Sequence, residues 1–106
     1  MKGETLKGHL DLLLLSALRS QPAHGYAIAQ TLRGRSGGAF DLPEGTLYPA
    51  LHRLERAGLV SSRWSEQGGR RRRVYRATVK GQEVLAVREQ EWGFFVRAVQ
   101  GVLGGA

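Results

Sequence analysis

The hydrophobic pattern of this chain changes its period at Gly58. Before Gly58, apolar residues recur at the three- and four-residue spacing of α-helices. After it, residues 60–65 follow the two-residue period of a strand, in which Val60, Ser62 and Trp64 alternate with Ser61, Arg63 and Ser65. The glycines of Gln67-Gly68-Gly69 then predict a turn, and a second strand follows. A chain of 106 residues can build one small core, which the helices and the hairpin must share.

These patterns predict four helices and one hairpin. The predicted helices run from about Leu6 to Arg19, Gly25 to Arg33, Pro43 to Gly58 and Val79 to Leu103, with Thr5 and Thr78 as N-caps of the first and the last. Three helices, a hairpin and a long helix are the order of a winged helix-turn-helix with a C-terminal extension. The predicted fold class is therefore mainly α with a small β-hairpin, divided into residues 1–78 and a long C-terminal helix over residues 79–106.

The first helix is apolar on nearly all sides. One broad face is formed by Leu6, Leu10, Leu13, Leu14, Ala17 and Leu18. Leu12 and Leu15 fall on the other side, so the helix must be covered from two directions. We expect the core to cover one side, and an additional element or a second subunit to cover the other. In the second helix the residues expected to be buried are Tyr26, Ile28, Ala29 and Leu32.

Positive charge is concentrated in one part of the chain. Residues 53–76 contain eight arginines and two glutamates, a net of +6, whereas the whole chain carries +7. Such a concentration favours a polyanionic partner, with nucleic acid ahead of an anionic membrane surface. Arginine suits phosphates and guanine edges better than lysine does, although a GC-rich genome would also enrich arginine.

Other functions lack the residues they need. The absence of cysteine excludes disulfides, thiolate zinc sites and a cysteine nucleophile. His9, His24 and His52 fall on three different predicted helices without carboxylates at ligand spacing, so no metal or cofactor is expected. Phosphate-binding, dinucleotide-binding and catalytic motifs are missing from the sequence, which argues against an enzyme. Without a signal peptide or an apolar run of ~20 residues, a cytoplasmic protein is expected.

The outer face of the third helix carries groups that bind DNA. Its core stripe is Leu47, Ala50, Leu51 and Leu54, and the opposite face presents Gly45, Thr46, Pro49, His52, Arg53 and Arg56, with Tyr48 at the border. Hydrogen-bond donors and cations on a helix in the major groove bind base edges and phosphates. The alternative is a solvated surface. Pro49 removes the backbone bond to Gly45, so we expect a distorted first turn or a later helix start.

The hairpin turn carries a run of four cations, Arg70, Arg71, Arg72 and Arg73. Their mutual repulsion would be relieved by DNA phosphates, although such a run can also be a merely solvated surface. We expect Tyr75 and Ala77 to face inward and anchor the hairpin. Trp64 is expected to pack on the hairpin rather than to stack on a base.

Three motifs of this chain resemble the PadR transcriptional regulators. Residues 45–55, followed by Gly58-Leu59-Val60, are similar to the family's recognition helix. The earlier His24-Gly25-Tyr26 resembles the opening of its second helix. The third set resembles the family's wing and the entry to its last helix, and consists of Arg71, Arg72, Tyr75, Thr78 and Gly81. The resemblance spans about Leu6 to Trp92 and points to the compact subgroup with one C-terminal helix. The chain departs from the family at Leu42-Pro43-Glu44, where a serine-like cap is common.

The resemblance implies a homodimeric repressor that responds to a ligand. Tyr48 is similar to the family tyrosine that touches a backbone phosphate. Base and phosphate contacts would come from Thr46, Arg53 and Arg56, and wing contacts from Arg71 and Arg72. Trp92 resembles the tryptophan that stacks planar ligands in drug-sensing members.

The last helix has its own pattern for dimerisation. Leu85, Trp92 and Val99 repeat every seven residues, Arg88, Phe95 and Val102 form a companion series, and Val96 lies alongside. A helix of ~24 residues is ~36 Å long, more than so small a domain can cover. The seam could also pack on a partner's first helix at Leu12 and Leu15. These two leucines, Trp92 and Phe95 are the candidate ligand-binding residues, unless Trp92 is only dimer core.

The sequence therefore predicts a homodimeric winged-helix repressor. Its expected partners are a double-stranded DNA operator, a second copy of itself and a small planar aromatic effector. Two other functions stay open, namely a sequence-independent DNA or RNA binder and a protein-interaction module that uses the long helix.

Overall fold

A computed structural model describes residues 6 and 8–104. Within them, the chain forms helices α1 (Leu10–Ala17), α2 (Gly25–Arg35), α3 (Glu44–Arg56) and α4 (Val79–Val102), and strands β1 (Ala23–His24), β2 (Val60–Gln67) and β3 (Arg70–Ala77). The mainly α fold with a basic hairpin is confirmed. The strand β1 was not predicted, because two residues are too short to show a period.

The helices begin close to their predicted positions, with one exception. Leu6 is helical as predicted, but helix α1 itself begins only at Leu10, after a turn at Gly8-His9 in which the His9 N–H donates to the Leu6 carbonyl at 2.9 Å. The predicted cap Thr5 lies outside the described residues. Helix α3 starts at Glu44, just after Pro43, and continues through Pro49. Thr78 caps α4 as predicted, since its hydroxyl accepts the Gly81 N–H at 3.0 Å.

The hairpin closes on a two-residue glycine turn. Gly68 and Gly69 have φ values of 58° and 75°, which other residues rarely adopt and which match the twist of a tight hairpin. The turn sets the antiparallel register of β2 and β3, in which Trp64 is the cross-strand partner of Arg73. Strand β1 adds to the far side of β3, so the sheet order is β1-β3-β2. The short β1 ties the start of α2 to the hairpin.

One core joins the three short helices, the base of the hairpin and the first turns of α4. Tyr75 and Ala77 face inward as predicted, and Tyr75 is 1% exposed. Of the two coverings that the sequence left open for Leu15, the structure shows an additional element of the same chain. The assignment of Leu15 to the dimer interface and the ligand site is wrong, because Leu15 is 0% exposed. The chain's own α4 covers it: a Cβ placed at Gly81 would lie 3.3 Å from Leu15 Cδ2.

Helix α4 leaves the core after its first turns. Leu85 is buried within the same chain, so it does not lie on a surface that a partner could cover, contrary to the prediction. Beyond it the buried residues end, and the molecule measures 54 × 28 × 22 Å. The exposed large side chains of this projecting part are Val87, Trp92, Phe94, Phe95, Val102 and Leu103. In the part of the chain that the structure describes, no helix is long and apolar enough to span a bilayer.

Candidate nucleic-acid interface

Helix α3 has the two faces that its sequence predicts. Its core stripe is buried and consists of Leu47, Ala50, Leu51 and Leu54. Of the predicted outer residues, Gly45, Pro49, His52, Arg53 and Arg56 are exposed, whereas Thr46 and Tyr48 are half-buried. The helix therefore presents donors and cations to solvent along one side, with the Tyr48 ring turned towards α2.

Tyr48 lies directly on the first residue of α2. A Cβ added at Gly25 would stand 2.5 Å from the Tyr48 hydroxyl oxygen and 2.7 Å from two ring carbons. Only glycine leaves room for this ring, which gives a physical reason for the glycine of the His24-Gly25-Tyr26 motif. The contact fixes the tyrosine at the junction of two helices.

His24 connects the hairpin to the same helix start. Its Nδ1 accepts the Ala27 N–H at 3.2 Å and so caps α2. Arg72 Nη1 lies 3.2 Å from Nδ1 and 3.0 Å from Nε2, so the guanidinium lies against the ring. Burial, and then the charge of Arg72, lower the pKa of His24 below its ordinary 6.5. A neutral His24 therefore serves as both cap and anchor.

Tyr26 does not join the core. It is 61% exposed, contrary to the prediction, because the core side of α2 is filled by Ile28 and Leu32. Its ring instead stacks nearly parallel to His24, with the ring centroids 6.4 Å apart and an angle of 8° between the planes. An exposed phenol thus stands beside the His24 cap.

The cations of the hairpin have internal partners. Arg71 and Arg73 place their guanidinium carbons 4.8 Å and 5.4 Å from the centroid of the Trp64 ring. Arg73 also donates to Ser62 Oγ at 2.8 Å and lies 3.9 Å from Glu55. Trp64 packs on the hairpin as predicted, through these cations, and remains 53% exposed. Part of the expected repulsion is thus relieved inside the chain before any phosphate binds.

These groups surround one cleft between the hairpin and the starts of α2 and α3. The cleft has a volume of about 600 Å³ and is lined by His24, Gly25, Tyr26, Tyr48, Trp64 and Arg70–Arg73. Guanidinium groups, phenol hydroxyls and exposed rings are donors and stacking surfaces for phosphates and bases. The structure therefore brings the predicted hairpin residues together with Tyr48, whereas His52, Arg53 and Arg56 lie outside the cleft on α3.

A second groove runs between α1 and α4. Its volume is about 260 Å³ and its lining residues are Gly8, His9, Leu12, Arg88, Glu91, Trp92 and Phe95. The rings of His9 and Trp92 meet edge to face at 5.1 Å, and Trp92 lies 5.9 Å from Phe95. Leu12, Trp92 and Phe95 of the predicted ligand-binding set line this groove, whereas Leu15 lies in the core.

Asp11 is a functional candidate that the sequence did not indicate. Its carboxylate lies 3.6 Å from Arg53 on α3 and 3.5 Å from Arg88 on α4. In the sequence it stands isolated, and only the crossing of three helices brings these residues together. His24 was likewise missed as an anchor of Arg72, since the two residues are 48 positions apart.

Three short helices with a basic hairpin beside the third define the winged helix-turn-helix class. Comparisons with known proteins identify the family within this class. The sequence profile described as "Transcriptional regulator PadR-like family" matches residues 14–87. The chain belongs to this family of transcriptional regulators, and its relatives are regulators rather than enzymes.

Individual relatives agree in sequence and in structure. The chain is 40% identical over 82 residues to the transcriptional regulator Rv3488 of Mycobacterium tuberculosis. The matched region covers 77% of this chain and 74% of that protein. The structure of a PadR family transcription regulator from Clostridium difficile R20291 matches with a TM-score of 0.80 and 36% sequence identity. This match covers 91% of this chain and 99% of that chain. A transcriptional regulator from Clostridium thermocellum is 28% identical with a TM-score of 0.85, over 93% and 97%.

Proposed function

We propose that this chain acts in the cytoplasm as a homodimeric repressor that binds a specific DNA operator. Helix α3 would enter the major groove with Thr46, Pro49, His52, Arg53 and Arg56, while Tyr48 and Arg70–Arg73 would contact phosphates. The observation that carries the proposal is the cleft of about 600 Å³, in which Tyr48 of α3 and the four arginines of the hairpin face the same space. Phosphates bound there would hold α3 against the duplex.

The projecting part of α4 supports the dimer. Trp92 and Phe95 are 43% and 56% exposed in the single chain, and Val102 is 87% exposed. These residues, with Arg88, Val96 and Val99, form the proposed interface beside Leu12 of α1. Burying one such aromatic side chain contributes about 1.5–3 kcal/mol, and two-fold symmetry doubles it.

Two chains related by a two-fold axis would present two α3 helices to successive major grooves, about 34 Å apart. Selection from a random pool of duplexes by the purified protein tests this reading. We expect a near-palindromic site, bound at least ~10³ times more tightly than random duplex. Equal affinity for all duplexes would instead support a sequence-independent binder.

The groove between α1 and α4 is the proposed site of a small, flat aromatic effector. Trp92, Phe95 and Leu12 line it, and the His9 ring stands at its edge. An aromatic slot of this kind accepts a planar molecule by stacking. An effector there would change the spacing of the two α3 helices and release the operator.

Tryptophan fluorescence tests the effector site directly. The chain has two tryptophans, so Trp64→Phe leaves Trp92 as the only reporter. We expect flat aromatic cations and neutral dyes to quench Trp92 in this variant and to lower its operator affinity. Quenching in Trp92→Phe, where only Trp64 reports, would place the ligand at the hairpin and contradict the proposal.

A further inference from the structure

Asp11 lies where helices α1, α3 and α4 meet. One of its oxygens, Oδ1, is 3.6 Å from Arg53 Nη2, and the other, Oδ2, is 3.5 Å from Arg88 Nη2. The Asp11 side chain is 25% exposed, so this pair of contacts is better shielded than an ion pair on an open surface. A single carboxylate is therefore shared by two guanidinium groups from different helices.

The two arginines belong to two different surfaces. Arg53 is exposed on α3, among the residues proposed to contact DNA. Arg88 lines the groove between α1 and α4, beside Trp92 and Phe95. Asp11 thus connects the groove proposed for the effector and the dimer to the side of α3 that is proposed to face DNA.

We infer that Asp11 is a positioning residue that couples this groove to the DNA contact of Arg53; the inference rests on the proposed function. When Arg88 is paired, the carboxylate is partly neutralised and Arg53 can leave it for a phosphate or a base edge. When an occupant of the groove draws Arg88 away, the full charge of Asp11 acts on Arg53 and withholds it from DNA. Occupation of the groove then weakens operator binding.

A double-mutant cycle on operator affinity tests the coupling. Arg88→Gln should weaken operator binding about two- to fivefold, the range set by partly exposed ion pairs. Asp11→Asn should strengthen it, because Arg53 is released. Because Arg88 also belongs to the proposed dimer interface, all affinities are measured at protein concentrations at which light scattering shows each variant to be fully dimeric. In the Asp11→Asn background, Arg88→Gln should then have no further effect, since Arg88 has no carboxylate to share.

Arg97→Gln is the matched control. It removes the same charge from the same helix, and Arg97 has no ion pair with Asp11 among the described residues. Its effect through the long-range field should be equal in both backgrounds. Asp11→Glu keeps the charge, so in that background Arg88→Gln should again weaken binding, which a merely structural role of Asp11 would not predict.

Thermal melting of every variant separates coupling from unfolding. If Asp11→Asn does not fold, Arg53→Gln serves as the second background, and Arg88→Gln should be silent there too. An effect of Arg88→Gln that is the same in all backgrounds, or that strengthens binding, overturns the inference. A wild-type protein that prefers no operator overturns the proposed function instead.

Discussion

The contact between Gly25 and Tyr48 shows how one missing methyl group positions a side chain of the candidate interface. The Tyr48 ring occupies the space that a Cβ at residue 25 would need. The ring is thereby held at the start of α2, on the edge of the cleft that also contains the hairpin arginines. The glycine of the family motif is therefore needed to leave room for the Tyr48 ring, which is the proposed phosphate contact.

Gly25→Ala should lower both stability and operator affinity. The added methyl would force the Tyr48 ring to move, and overpacking of this kind costs about 1–3 kcal/mol. Thermal melting and operator titration measure the two effects. Gly34→Ala is the control in the same helix, since a Cβ there meets nothing within 4 Å. Equal behaviour of the two variants would contradict this account.

His24 makes stability depend on pH in a defined direction. Its folded-state pKa is depressed by burial and by Arg72, so protonation favours the unfolded chain. The contribution of His24 is fully present above pH 6.5, its ordinary pKa, and is lost as the pH falls through the folded value. His24→Asn retains an N-cap that does not titrate. The fall in melting temperature between pH 7.5 and 5 should be smaller in this variant; an unchanged fall would contradict the role.

At the scale of elements, the proposed function divides DNA binding between the hairpin and α3. Arg71, Arg72 and Arg73 of the hairpin are packed on Trp64 or His24, which presents them as a pre-arranged set of cations. Phosphate contacts of this kind position a protein without reading sequence, whereas base contacts specify it.

Replacing Arg71 and Arg72 together by alanine should weaken binding to operator and random duplex alike, and should flatten the salt dependence. Arg53→Ala should instead relax base preference at one position of each half-site. Titrations against the operator, single-base variants and random duplex distinguish the two outcomes. A loss of base preference in the Arg71/Arg72 variant would show that the hairpin reads sequence.

Elements with a long, regular pattern were predictable from the sequence. Helix α3 has a single apolar stripe, so its bounds were expected within about two residues. The glycine pair Gly68-Gly69 also predicted the hairpin turn. The sequence analysis placed Arg70–Arg73 at this turn, whereas they lie on strand β3, because the turn needs only the two glycines. Strand β1 was not, since two residues show no period. Tyr26 was placed in the core by its spacing, although Ile28 and Leu32 already fill that side of α2.

The predictability of the candidate site follows the same rule. The exposure of the arginines and of Tyr48 could be predicted, because each lies on a helix or strand whose hydrophobic period shows which face is buried. The contacts of Asp11 and His24 could not, because they depend on how separate elements cross. Leu15 and Leu85 were assigned to an interface for the same reason: the sequence does not tell whether α4 or a partner covers α1.

At the scale of the whole molecule, the projecting half of α4 is the proposed dimer interface. Phe95→Ala should weaken the dimer, because Phe95 lies in the seam beside Trp92. Phe94→Ala is the control, since Phe94 is 70% exposed and lies about 200° around the helix from Trp92. Light scattering over a dilution series measures both. A weaker dimer in Phe94→Ala alone would place the interface on the opposite face of α4.

The central claim is that two chains together read one operator through α3 and the hairpin. The most direct measurement is a titration of the selected operator over a range of salt, with the mass of the complex determined by light scattering. We expect two chains of 11.6 kDa on each site and a log–log salt slope near −7, for about eight phosphate contacts per dimer. One chain per site, or a slope shallower than about −2, would contradict the claim.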